Sequence, residues 1–163
     1  MKTYSYNPSR YFWAVTAPGI LMIVALVYGI VISFQNPGFN IYGLIAFIAV
    51  YGINNTFISI SYPKKIIDDG EKIEFYAFGR SHSYYWKEIK SLRIKEFYGG
   101  KLYLRVGNSN AFKGRYWVKT SMFNDGIDLY NKFKDAEKRL HPDLLKFQQR
   151  PSNTNISKKK KKK

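Results

Sequence analysis

Two uncharged apolar stretches, residues 11–34 and 39–60, stand back to back near the start of the chain. Neither contains an Asp, Glu, Lys, Arg or His. At about 1.5 Å of rise per residue, roughly 20 helical residues cross the hydrocarbon core of a bilayer. A soluble amphipathic helix of that length keeps charge on its solvent face, and these keep none. The expectation is a two-helix transmembrane hairpin, and the rest of the chain has to be compatible with it.

Charge gives the expected orientation. Residues 1–10 carry Lys2 and Arg10 without an acid, residues 11–62 carry nothing, and all other charges follow. Lys/Arg-rich flanks stay on the cytoplasmic side, and the connecting Gln35-Asn36-Pro37-Gly38 is uncharged. Both termini are therefore expected in the cytoplasm of a two-span cell-membrane protein. The first apolar run is too long for a secretory signal, and no small-x-small cleavage site follows it.

Within the hairpin, Ala25 and Gly29 in the first run and Ala46, Ala49 and Gly52 in the second offer small faces for close packing. They suit packing inside the hairpin or homo-oligomerisation. Pro18-Gly19 suggests a kink. Tyr11, Trp13, Tyr42 and Tyr62 suit aromatic anchoring at the bilayer interfaces.

From residue 63 the pattern changes to short alternating runs. Residues 64–68 and 72–78 flank Asp69-Gly70, a hairpin signal. Further runs cover 83–86, 91–97, 101–106 and 115–120, separated by Gly-rich turns. Asn124 is a candidate N-cap for a last helix that Pro142 ends. Leu129, Phe133, Ala136 and Leu140 give that helix one apolar stripe. The expected fold is a small α+β domain at 63–141: about six antiparallel strands curved into a sheet or barrel, capped by a C-terminal α-helix. A basic tail, 142–163, is expected to be unstructured.

This order, with Trp86-Lys87-Glu88-Ile89 leading into a strand, resembles the bacterial pleckstrin-homology-like (PH-like) domains that follow two transmembrane helices. The resemblance implies a domain in which this Trp-x-Glu-Ile segment sits at the end of one strand and packs the sheet. Phosphoinositide-binding relatives of that fold use a basic first hairpin loop, whereas the turn aligned with it here, Asp68-Asp69-Gly70-Glu71, is acidic. Size, charge and architecture also resemble the immunity proteins that accompany leaderless cationic bacteriocins. That resemblance implies protection of a producer's own membrane against such a peptide.

Chemistry that needs thiols is excluded, since the chain has no cysteine. His82 and His141 are the two histidines, and no spaced His/Asp/Glu set accompanies them. Neither a metal site nor general acid–base catalysis is expected, so no cofactor is, and both histidines read as surface or turn residues. Alternation places Arg93 and Lys95, then Lys101, Tyr103 and Arg105, then Arg115, Trp117 and Lys119 on like-directed faces of three successive strands. Leu92, Ile94, Leu102, Leu104, Tyr116 and Val118 would form the core opposite. Such a basic–aromatic face suits anionic phospholipid, with nucleic acid as the less favoured ligand; a simply solvated face stays open. The chain ends in Lys158, Lys159, Lys160, Lys161, Lys162 and Lys163, a run suited to the anionic inner leaflet. The functional expectation is a membrane-anchored lipid-docking module, plausible as an immunity protein. The alternative is a scaffold that recruits a membrane-protein partner.

Overall fold

The ten residues ahead of the first apolar run supply a strand. In the computed structural model, which describes residues 1–36, 38, 40–144 and 146–147, Lys2–Ser5 (β1) pairs antiparallel with Lys65–Asp68 (β2), Tyr4 opposite Ile66. Between them run two helices long and apolar enough to cross a membrane, Pro8–Gln35 (α1) and Ile41–Ile58 (α2). The helical hairpin is thus an insertion between two neighbouring strands of one sheet.

The helices approach closely where side chains vanish. A methyl group on Gly29 would lie 2.8 Å from the Tyr42 carbonyl, and one on Gly19 would lie 2.7 Å from the Phe57 ring. Gly52 sits against Met22, and Ala49 is buried. The small faces therefore serve packing within the hairpin. Each helix widens to a π-helical turn at the end nearest the sheet, Phe12–Thr16 and Asn54–Ile58. Pro18, which cannot donate to the helix ladder, follows the first of these turns by two residues.

β2 continues through Lys72–Ala77 (β3) to Arg80–Tyr85 (β4), giving a four-stranded sheet in the order β1-β2-β3-β4. Leu92–Phe97 (β5), Lys101–Val106 (β6) and Arg115–Lys119 (β7) form a second sheet of three strands. Period-two alternation buries Ile73, Phe75 and Ala77 from β3 against Leu92, Ile94, Leu102, Leu104, Val106, Tyr116 and Val118 from the second sheet. The last helix, Gly126–Leu140 (α3), adds Leu129, Phe133 and Ala136 to that core. Phe75 stacks on Tyr116 at 4.0 Å and lies nearly parallel to Phe133 at 6.3 Å, so one column of rings joins β3, β7 and α3.

The two sheets do not close into a barrel, and their outer edges find other partners. Along β5, Ile94 N–H donates to Glu137 (2.7 Å), Leu92 N–H to His141 Nε2 (3.3 Å), and Lys146 Nζ to the Ile94 carbonyl (2.9 Å). Along β1, Asn124 accepts from Ser5 N–H through its side chain and donates from its own N–H to the Ser5 carbonyl. Asn124 is therefore not the N-cap of α3; Asp125 holds that position in the left-handed region, φ 48°. The strand expected at 83–86 begins at Arg80, because Phe78-Gly79 makes a two-residue turn with both φ values positive. Lys146, in the stretch expected to be an unstructured tail, is instead held to the fold, paired to buried Glu137 at 2.6 Å.

Tyr4 is fully buried and its hydroxyl donates to Asp128 on α3. Tyr4→Ala should destabilise the domain by about 3–4 kcal/mol, read as denaturant unfolding of the full chain in detergent by near-UV circular dichroism. If residues 2–5 were a detached arm, the same substitution would leave the transition unmoved.

Candidate functional site

The strand register arranges the outer face of the second sheet in three cross-strand rows. Arg93 faces Arg105 and Arg105 faces Arg115; Lys95 faces Tyr103 and Tyr103 faces Trp117; Phe97 faces Lys101 and Lys101 faces Lys119. All eight residues expected to share this face do so, joined by Phe97. The aromatic rows are packed: Tyr103 and Trp117 lie 4.6 Å apart, Phe97 and Trp117 5.3 Å, and Lys101 Nζ sits 4.4 Å from the Trp117 ring centroid. Among the described residues, none of these six cations has an acidic partner within ion-pair distance.

This face runs up against the foot of the helical hairpin. Trp117 N–H donates to the Ser61 carbonyl at 2.6 Å, three residues beyond the end of α2. A cavity of about 220 Å³ is lined by Lys101, Trp117, Lys119 and the fully exposed Tyr98 on one side, and by Ala14 and Val15 of α1 on the other. Tyr11, expected as an interfacial anchor, is instead buried in the domain, and its hydroxyl donates to the Tyr62 carbonyl at 2.7 Å. Phe12 and Trp13, exposed beside it, hold the outward positions.

On the other side of α1 lies a wider groove, about 720 Å³, where Lys64, Lys65 and Arg80 meet Tyr76, Phe12 and Thr16. These three cations also lack an acidic partner among the described residues. Sequence reasoning passed over them. The adjacent pair Lys64-Lys65, just beyond an apolar run, was the available signal; Arg80 joins only through the Phe78-Gly79 turn.

The remaining candidates are structural. Asp68 is buried, ion-paired with Lys132, and accepts from the Trp86 indole at 3.1 Å. Asp69 accepts the Glu71 and Lys72 amides, and the Lys72 amide above all holds its carboxyl below the usual range. The acidic turn is thus built for its own closure, and Trp86 anchors it to the sheet. His82 is not an idle surface residue: its Nδ1 lies 2.8 Å from the Tyr116 hydroxyl, which lies 2.7 Å from that of Tyr84. His141 caps β5, as above. Among the described residues no cluster of three His, Cys, Asp or Glu side chains could hold a metal ion. Lys158 to Lys163 lie outside the described residues.

No protein-family model, no curated protein and no solved structure matches this chain.

Burial, reinforced by Lys113 and Arg80, holds the His82 imidazole below its ordinary 6.5. Below that value the unfolded chain binds more protons than the folded one, so this contribution to stability is complete above it and is lost as the pH falls. The thermal midpoint of the full chain should drop as the pH falls below about 6.5, and His82→Gln should flatten that part of the profile. An unchanged profile in the variant would remove His82 from the account.

Proposed function

We propose that this chain is a non-enzymatic, membrane-anchored docking module. In this reading α1 and α2 cross the bilayer with both termini cytoplasmic, and the domain holds its basic–aromatic surface against anionic phospholipid headgroups of the inner leaflet. One observation carries it: Lys101, Trp117, Lys119 and Tyr98 enclose a cavity with Ala14 and Val15 of the first apolar helix. If that helix crosses a bilayer, these cations and amphipathic rings stand at headgroup depth, where Trp, Tyr and Lys are favoured.

The magnitudes are adequate. Each cation near an anionic leaflet contributes about 1 kcal/mol, so Lys101, Lys119, Lys64, Lys65 and Arg80 together offer about 5 kcal/mol. A tethered face does not meet the translational cost of association again. Nucleic acid has no comparable tether.

A PH-like fold is part of the proposal, supported by a four-stranded sheet, a three-stranded sheet and a C-terminal helix in that order. Counting Lys2–Ser5 as the first strand moves the first hairpin connection. It becomes the two-helix insertion itself, and the acidic turn at 68–71 becomes the second connection. On this reading the chain carries its membrane hairpin where phosphoinositide-binding relatives carry a basic loop. The immunity role rests on architecture and charge alone, and no residue of the site adds to it.

The full chain in nanodiscs tests the docking. Replacing roughly 30% of a zwitterionic lipid by phosphatidylglycerol should slow amide exchange across residues 98–105 and 115–119. Lys101→Gln with Lys119→Gln should abolish that protection without lowering the thermal midpoint. Exchange indifferent to lipid charge would refute docking and leave capture of a protein partner as the better reading.

A further inference from the structure

The outer face of the second sheet separates its two kinds of cation. All three arginines, Arg93, Arg105 and Arg115, occupy one cross-strand row, and all three lysines, Lys95, Lys101 and Lys119, lie in the other two. The arginine row is the one farthest along the strands from the row of Lys101 and Lys119 that reaches the foot of α1. Four residues of strand, about 13 Å, separate the two.

Like charges directly opposite across a sheet repel, and here the repulsion is unrelieved. No carboxylate of the described residues lies within ion-pair distance of any of the three guanidinium groups. Two are nevertheless restrained. The Arg105 guanidinium lies 5.8 Å from the Tyr103 ring centroid, and the Arg115 Nε is buried without a hydrogen-bond partner among the described residues. Neighbouring strands are about 4.8 Å apart, so the outer two arginines stand about 10 Å from each other. Side chains of arginine length can close that gap onto a single small anion.

We propose that Arg93, Arg105 and Arg115 form a binding site for a phosphomonoester group, distinct in chemistry from the lysine–aromatic rows. A phosphomonoester presents three terminal oxygens and close to two negative charges, which several planar guanidinium forks can share through paired N–H···O bonds. A phosphodiester presents two oxygens and one charge, and satisfies fewer of these donors. The lysine rows supply compact point charges and select for charge alone. The inference deepens the docking reading of this face and depends on it only if the phosphomonoester is a lipid headgroup; a soluble phosphomonoester would use the same three residues.

Native mass spectrometry of the full chain in detergent, with phosphatidic acid, phosphatidylglycerol and phosphatidylcholine offered in turn, separates these cases. A parallel titration uses glycerol 3-phosphate. Phosphatidic acid should be retained about ten-fold better than phosphatidylglycerol. Arg105→Gln should remove that preference, and so should Arg105→Lys, which keeps the charge but not the fork. Lys101→Gln with Lys119→Gln should weaken retention of both anionic lipids and leave their ratio intact. Loss of the lysine effect alone would count against the docking reading and not against this site. Saturable binding of glycerol 3-phosphate that Arg105→Lys abolishes, without lipid preference, would support the site and assign it a soluble ligand. Absence of both the lipid preference and glycerol 3-phosphate binding, or a preference that survives Arg105→Lys in a variant with unchanged near-UV circular dichroism, would overturn the proposal.

Discussion

The pairing of β1 with β2 is the constraint on which the architecture rests. It joins Lys2–Ser5 to Lys65–Asp68 across everything between residues 6 and 64. A flexible connection of that length would cost about 4 kcal/mol to close. Two antiparallel helices remove most of that cost, because they return the chain beside its point of departure. They can do so only if they pack closely, which is what Gly19, Gly29, Gly52 and Ala49 allow. Helix packing and sheet pairing are therefore one closure seen from two ends.

That closure also welds the domain to the hairpin. Tyr6 N–H donates to the Lys64 carbonyl, the Tyr11 hydroxyl to the Tyr62 carbonyl and Trp117 N–H to the Ser61 carbonyl. Tyr11, Val15 and Ile60 enter the same apolar cluster as the sheets. The outer face of β5–β7 is consequently held at a set position beside α1. Without that seam the same residues would form a basic surface with no fixed orientation relative to the two helices.

The open sheets rely on α3 and its continuation for a different task. Glu137, His141 and Lys146 occupy the positions a further strand would take beside β5. Tyr130 and Lys134 bind Glu96 farther along the same edge, and the Lys134 hydrogen bond above all holds that carboxyl below the usual range. An edge satisfied by side chains cannot recruit another strand.

By itself the sequence determined the elements that depend on local pattern. The absence of charge over residues 11–34 and 39–60 marked both long helices, period-two alternation marked β5, β6 and β7 with the correct face inward, and a helical stripe placed Leu129, Phe133 and Ala136 in the core. The eight residues of the basic–aromatic face were legible for the same reason, since alternation is a property of each strand alone. Only the tertiary structure decided what depends on partners distant in the chain. Lys2–Ser5 is too short to signal a strand until β2 lies beside it, Asn124 has a cap's chemistry but serves β1, and His82 finds its role only where Tyr116 arrives from β7. The grouping of arginines apart from lysines, and of Lys64 and Lys65 with Arg80, follows from inter-strand register and from the turn at Phe78-Gly79. Register is set by the packing of whole sheets, and no window of the sequence contains it.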